Sequence, residues 1–226
     1  MKICRYFDSA VLKPNLTREE TVAAIQTAID ENSYTVCVRG CDIPLAVEMT
    51  KGTETGVSCV LDFPYGYGGA EVKKLTAEVY CRQGVQEIDM VMNIGAALSG
   101  DWETVTEEVR GVVEVAHAHN VGVKVIFETS QLDIETIKGA TEACIAAGAV
   151  FVKTSTGFNG EGATFEAVQA MLDTAKGRCK VKPSGGIRNY ETAKRYIDMG
   201  AERLGIGYTS AHAISAGGEV DNNENY

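Results

Sequence analysis

Short runs rich in β-branched residues alternate with longer helical patterns along almost the whole chain. Eight runs are legible, at residues 5–9, 35–39, 57–63, 87–93, 121–129, 150–155, 180–184 and 203–208. The stretches between them carry helix signals. Thr17-Arg-Glu-Glu20 is a capping box. Ser99-Gly-Asp-Trp precedes a helix expected to reach about His119. Asp133, Thr164 and Asn189 sit at N-cap positions with an acid close behind. Gly84, Gly148 and Gly200 sit where helices end. Eight β units, each followed by a helix at a mean repeat of roughly 28 residues, predict an α/β fold: a single (β/α)8 TIM barrel. A doubly wound open sheet is the competing arrangement, and it would more naturally show G-x-G-x-x-G after the first strand, which is missing here. No composition break suggests a second domain. Residues 1–216 therefore read as one barrel domain, and 217–226 (G-G-E-V-D-N-N-E-N-Y) as a flexible acidic C-terminal tail.

In a barrel, alternate strand residues face the lumen and the helix layer. Ile88, Met90 and Met92 suit the helix layer, which turns Glu87, Asp89, Val91 and Asn93 inward. Val123, Val125 and Phe127 outward leave Lys124, Ile126 and Glu128 inward. Val150 and Val152 outward leave Phe151, Lys153 and Ser155 inward, and Val181 outward leaves Lys182 inward. Barrel interiors are normally filled by branched apolar side chains. This one is expected to hold Asp89, Lys124, Glu128, Lys153 and Lys182, charges that need partners when buried. Two readings stand: a structural ion-pair plug, or a catalytic cluster near the C-terminal strand ends, where barrel enzymes keep their active sites.

Two lysines in one small cavity have a chemical meaning. A nucleophilic lysine must be neutral, whereas a free lysine titrates near 10.4. A second ammonium close by and partial desolvation both favour the neutral amine. Making such an amine half neutral at pH 7 takes roughly 4 kcal/mol of differential destabilisation of its charged form. Lys153 as amine, Lys182 as perturber and Asp89 as proton relay would make up Schiff-base carbonyl chemistry. Thr154-Ser-Thr-Gly157 and Ser184-Gly-Gly-Ile-Arg188 add backbone N–H groups near helix N-termini. Such segments bind phosphate, although glycines at a strand end are also ordinary turn residues.

The net charge of −10 argues against general nucleic-acid binding and requires any anion site to be local. No apolar run is long enough to span a membrane, and no long apolar leader opens the chain. Seven scattered cysteines without a C-x-x-C pair read as reduced thiols rather than a zinc site.

The segments E-I-D-M-V-M-N-I-G-A (87–96), V-K-V-I-F-E-T (123–129), F-V-K-T-S-T-G-F (151–158) and V-K-P-S-G-G-I-R (181–188) resemble those of the deoxyribose-phosphate aldolases, class I aldolases of the barrel fold. D-x-x-x-L-K-P (8–14), V-C-V (36–38) and D-F-P-Y-G (62–66) match more weakly, in the same order. The resemblance runs from residue 8 to about 208. It implies reversible cleavage of 2-deoxy-D-ribose 5-phosphate to glyceraldehyde 3-phosphate and acetaldehyde, with Lys153 as the Schiff-base lysine, Lys182 as its perturber and Asp89 as the relay. It also implies that Asp8, Thr154, Gly157, Gly185, Gly186, Gly205 and Gly207 bind substrate or phosphate. No metal or organic cofactor is implied. The expected partner is a small aldehyde or sugar phosphate, not nucleic acid or a membrane, in a cytoplasmic homo-oligomer, dimer or tetramer.

Two positions depart from the family pattern. The first strand reads Asp8-Ser9-Ala10 where relatives place His or Leu and then Thr. The last reads Gly205-Ile-Gly-Tyr208 where relatives place Gly-x-Ser-Ser. The two departures motivate an alternative, a class I aldolase of the same family acting on a different or unphosphorylated aldehyde or sugar. A catalytically silent sugar-phosphate-binding barrel is a third reading, opposed by the intact Lys153, Lys182 and Asp89. Cys37 is expected inside the barrel as a small core filler rather than a nucleophile. Lys124 and Glu128 are either mutual salt-bridge partners or tuners of the catalytic group. Tyr226 is either a loose terminus or a proton donor folded over the mouth. His117 and His119 are expected on the surface.

Overall fold

The computed structural model describes residues 2–219. Its elements run β1 (Phe7–Val11), α1 (Arg18–Asp30), β2 (Thr35–Val38), α2 (Ile43–Met49), β3 (Gly56–Leu61), α3 (Ala70–Arg82), β4 (Glu87–Val91), α4 (Ile94–Leu98), α5 (Trp102–Ala118), β5 (Gly122–Ile126), α6 (Ile134–Ala146), β6 (Phe151–Lys153), α7 (Phe165–Ala175), β7 (Lys180–Lys182), α8 (Tyr190–Met199), β8 (Leu204–Gly207) and α9 (Tyr208–Ser215). All strand pairs are parallel and follow chain order, with β1 beside β8. The sheet closes between β7 and β8 through a Ser184–Gly205 bridge and a 2.9 Å bond from Gly205 N–H to the Pro183 carbonyl. A Cβ on Gly205 would lie 2.2 Å from the Ser184 hydroxyl oxygen, so glycine is what lets this seam close. The architecture is the (β/α)8 barrel that the alternation predicts.

Local chemistry places the elements. The Thr17/Glu20 capping box is formed in both directions. Asp101, Asp133, Thr164 and Asn189 each accept the N–H three residues on. Such a cap is worth about 1 kcal/mol. Gly84, Gly148 and Gly200 all take positive φ at helix ends. The first strand begins two residues later than its sequence run, because Ile3–Tyr6 forms a 3-10 turn. From that turn Arg5 reaches the Ser33 carbonyl at 2.9 Å. The fourth run ends early because Asn93 leaves the sheet to cap α4.

The expected parity holds on most strands. Val36, Val57, Ile88, Met90, Val125, Val152, Val181 and Ile206 join the main core between sheet and helices. Val150 does not: it precedes β6 and is 43% exposed at the lower rim. Cys37 packs inside the barrel with Ala10, Leu12 and Val60, as a small filler. His117 and His119 lie on the surface. The expected boundary at 216 does not end the chain's contacts, since the Gly218 carbonyl accepts from Tyr190 N–H and Glu219 bridges Asn189. The rest of the acidic tail, with Tyr226, lies outside the described residues.

A second buried ion cluster lies in the helix layer. Lys73 of α3 is fully enclosed. It donates to the carbonyls of Gly66 (2.9 Å) and Val91 (2.8 Å), and pairs with Glu108 of α5 and with Asp62 at 3.2 Å. This clamp fixes the β3–α3 loop and locks α3 to α5. Removing one partner strands a buried charge, so Lys73→Met should cost about 3–5 kcal/mol in urea unfolding. Adding Glu108→Leu should recover much of the loss; an unchanged midpoint in the single variant would show the clamp to be energetically idle.

Candidate active site

The lumen charges form a column that climbs from the N-terminal to the C-terminal strand ends. At its foot Arg203, just before β8, bonds Asp8 at 2.7 Å and Glu87 at 2.8 Å, with its guanidinium 3.6 Å from the Tyr34 ring centre. Glu87 also pairs with Lys124 at 2.6 Å. Lys124 then reaches Asp89 Oδ1 at 2.8 Å and Asp8 at 3.4 Å. Lys182, the last residue of β7, pairs with Asp8 and with Asp89 Oδ2 at 2.7 Å. Lys153, the last residue of β6, donates to that same Asp89 Oδ2 at 2.8 Å. Thr35 donates to Asp8 at 2.7 Å and meets Ser58 at 2.9 Å, so the column's flank is also bonded.

Burial alone would make these carboxyls harder to ionise. For Asp89 the ammonium groups of Lys124, Lys153 and Lys182 overcome burial and hold the carboxyl well below the usual carboxylate range. Burial acts on Asp8 in the same way and is outweighed by Lys124, Lys182 and Arg203, so Asp8 too is held low. Lys124 loses hydration completely, yet Asp8, Asp89 and Glu87 keep it charged well above the ordinary lysine range. Arg203 is held cationic by Asp8 and Glu87 against burial.

Several expected residues lie elsewhere than anticipated. Asp8, expected to bind substrate or phosphate, sits in the charge column with its oxygens occupied by cations. Thr154 is fully buried and spans two strands, donating to the Ser184 carbonyl (3.0 Å) and accepting its N–H (2.9 Å). Glu128 does not pair with Lys124. It takes a left-handed backbone (φ 60°) and accepts from Thr156, while burial pushes its carboxyl up. The Cys37 thiol is likewise pushed up by burial, as expected of a filler.

Arg203 escaped sequence reading, although the signal was there. With Leu204 and Ile206 in the outer core, period two turns Arg203, Gly205 and Gly207 inward.

The mouth above Lys153 has two unlike sides. Over β1–β3, Phe63 packs on the small apolar cluster and meets Phe158 edge-on at 5.1 Å. Asn159 ties the two loops by donating to the Pro64 carbonyl at 3.0 Å. Over β6–β8 lies a cavity of about 270 Å³, lined by Gly157, Gly186, Gly205 and Gly207 with Arg188, Thr209 and Ser210 among others. Gly185 does not line it but supports it, packing on Gly157 and Gly162. Tyr208 is not in the lining and packs against the outer core, so the phenol does not fill the cavity. Among the described residues no group of three or more His, Cys, Asp or Glu side chains is placed to hold a metal ion.

Residues 7–214 match the model of the DeoC/LacD family aldolases. A deoxyribose-phosphate aldolase of Caldanaerobacter subterraneus is 42% identical over 206 residues, 91% of this chain and 89% of that protein. Deoxyribose-phosphate aldolase 1 of Staphylococcus aureus is 42% identical over 91% of this chain and 92% of its own length. Among solved structures, an aldolase called QR15 superposes with a TM-score of 0.89 at 39% identity, covering 96% of this chain and 95% of that one. The deoxyribose phosphate aldolase of Aeropyrum pernix, described as a tetramer, gives 0.87 at 28% identity, covering 95% and 89%.

The depressed Asp8 and Asp89 carboxyls set an acid limit. A group whose folded value lies below its unfolded value, near 3.9, stabilises the fold above that pH and loses the contribution as pH falls toward the folded value. Glu128 and Glu108, raised by burial, have the opposite sign and are relieved as pH falls. Urea midpoints should therefore hold or rise slightly from pH 7 to about 5 and drop steeply below about 4. Equal midpoints at pH 5 and pH 3 would contradict this balance.

Proposed function

The chain belongs to the DeoC/LacD aldolase family, and from that premise we propose that Lys153 forms the Schiff base and that the charge column beneath it keeps its amine usable. The protein is a lyase that reversibly cleaves 2-deoxy-D-ribose 5-phosphate to D-glyceraldehyde 3-phosphate and acetaldehyde. The observation that carries the residue assignment is two amines on one oxygen: Lys153 and Lys182 both bond Asp89 Oδ2.

Charge counting favours Lys153 as the neutral member. Three carboxylates (Asp8, Glu87, Asp89) serve four basic side chains (Lys124, Lys153, Lys182, Arg203). Lys124 touches all three acids, and Lys182 and Arg203 touch two each. Lys153 has only a share in one oxygen, so the column gives up least when Lys153 is the group without its proton. It also stands at the C-terminal end of β6, level in register with Lys182. Its Nζ attacks the C1 aldehyde carbon, and loss of water from the carbinolamine leaves an iminium. Cleavage of C2–C3 sends the bonding pair into the iminium as an enamine, and the C3 hydroxyl surrenders its proton as the second aldehyde forms. Protonation at C2 and hydrolysis release acetaldehyde. The Asp89 carboxylate stabilises the iminium charge as it develops, and its Oδ2 joins the two amines so that Lys182 can supply or recover a proton there.

The glycine-lined cavity is the proposed seat of the phosphate. The first turn of α9 adjoins it through Thr209 and Ser210, and Arg188, just before α8, also lines it. Thr209 and Ser210 offer hydroxyls just beyond the positions where the sequence lacks serines. No described helix is long and apolar enough to cross a membrane. A cytoplasmic location and a homo-oligomeric state complete this reading.

Borohydride reduction in the presence of acetaldehyde should label Lys153, mapped by mass spectrometry, and Lys153→Met should abolish both label and cleavage. Lys182→Leu should lower turnover at pH 7 by roughly two orders of magnitude or more. A label elsewhere, or full activity in Lys182→Leu, would overturn the residue assignment. A label at Lys153 without cleavage of deoxyribose 5-phosphate would point to another sugar or aldehyde.

A further inference from the structure

Glu128 combines two features that stability alone does not explain. It lies two residues past β5 and holds a left-handed backbone, φ 60° and ψ 62°. That conformation is unfavourable for a residue with a long side chain. Its side chain is also enclosed, with the residue only 1% exposed. The other buried acids among the described residues, Asp8, Asp42, Asp89 and Glu108, each pair with a lysine or arginine. Glu128 forms no such pair among them and turns both oxygens on one residue. Its Oε1 accepts from Thr156 N–H at 3.3 Å, and its Oε2 accepts from the Thr156 hydroxyl. An apolar side chain could be buried here at less cost. Strained backbone of this kind clusters at functional sites.

What Glu128 holds is the loop between β6 and α7. Thr156 stands three residues after Lys153 and is itself enclosed. Its hydroxyl donates to Glu128 and accepts from Phe158 N–H at 3.0 Å, so one hydroxyl fixes the turn at Gly157, where φ is 81°. That turn sends adjacent residues to the two sides of the mouth. Gly157 lines the glycine cavity, and Phe158 meets Phe63 over the apolar side. Neighbours of Glu128 grip the same loop: Thr129 N–H bonds the Thr154 carbonyl at 3.0 Å, and the Ser130 hydroxyl bonds the Asn159 carbonyl at 3.1 Å.

Taking Lys153 as the Schiff-base amine and the glycine cavity as the phosphate seat, we propose that Glu128 is a positioning residue: through Thr156 it fixes the spacing between the amine and the seat, so that a sugar phosphate is held with its aldehyde at Lys153.

Two reactions of the full chain test this. Cleavage of 2-deoxy-D-ribose 5-phosphate needs both ends of the substrate aligned. Exchange of the methyl protons of acetaldehyde in deuterium oxide, followed by NMR, needs only the amine: the iminium loses a C2 proton to give the enamine and regains a deuteron from solvent. Thr156→Val keeps the side-chain shape without the hydroxyl. Glu128→Gly removes the carboxylate and accepts the left-handed backbone without strain. Each should lower kcat/KM for cleavage about tenfold or more beyond any fall in exchange. Thr156→Ser should recover most of the Thr156→Val loss. The double variant should lose no more than the worse single one, because both remove one contact. Equal losses in cleavage and exchange, disappearance of both in the single variants, or additive losses in the double variant overturn the proposal and leave the aldolase reading standing. A parent chain that does not cleave the sugar phosphate overturns that reading and this proposal with it.

Discussion

A charge in a barrel lumen has to be answered by another charge within hydrogen-bond reach, and this barrel answers seven at once. Arg203 holds Asp8 and Glu87; these hold Lys124 and Lys182; Asp89 gathers the Nζ atoms of three lysines. The members come from β1, β4, β5, β6, β7 and the edge of β8, with Glu87 and Asp89 sharing β4, so closing the barrel and assembling the column are one event. The requirement works in the other direction too. Removing one member would leave a neighbour buried and uncompensated, which costs more than the pair contributes. The apolar work is carried by the outer layer, where sheet residues such as Ile88 and Val125 meet the helices. That division frees the lumen for chemistry.

The mouth continues the same logic of unequal halves. Small apolar side chains and the Phe63–Phe158 pair cover the β1–β3 side, whereas glycines and Arg188 line the β6–β8 side. A two-carbon aldehyde suits the first environment and a phosphate ester the second. On the proposed reading, Lys153 stands between them at the end of β6, where one bound sugar would present its aldehyde to the amine and its anionic end to the glycine-lined side.

Much of this was legible in the sequence because a strand's period is two. Placing Ile88, Met90 and Met92 against helices leaves Asp89 only the lumen, and the same step places Lys124, Lys153 and Lys182 there. Capping chemistry marked helix starts at Thr17, Asp133, Thr164 and Asn189 for the same reason: each satisfies a free N–H locally. What stayed hidden depends on distance in space. Nothing near Asp8 in the chain says that Arg203, 195 positions on, will occupy it. Thr154 looks like a turn hydroxyl until β7 is laid beside it. Glu128 continues the alternation from Lys124 in sequence, but it lies past the end of β5 and itself turns left-handed, so parity no longer governs where it goes. Tyr208 reads as an obstruction in the last strand, and only the start of α9 carries it away from the cavity.

The position of Lys153 bears on a hazard the enzyme makes for itself. Acetaldehyde condenses with any unprotonated amine, and the chain displays lysines all over its surface. Lysines in water are ordinarily protonated at neutral pH and react slowly with aldehydes; several here, such as Lys51, Lys138 and Lys194, pair with Glu48, Glu135 and Asp198. The amine proposed to do the chemistry, Lys153, lies almost wholly buried, where the bond it would make with an aldehyde is one the enzyme could also undo. Reactivity and self-protection are thus two readings of where one protein places its lysines.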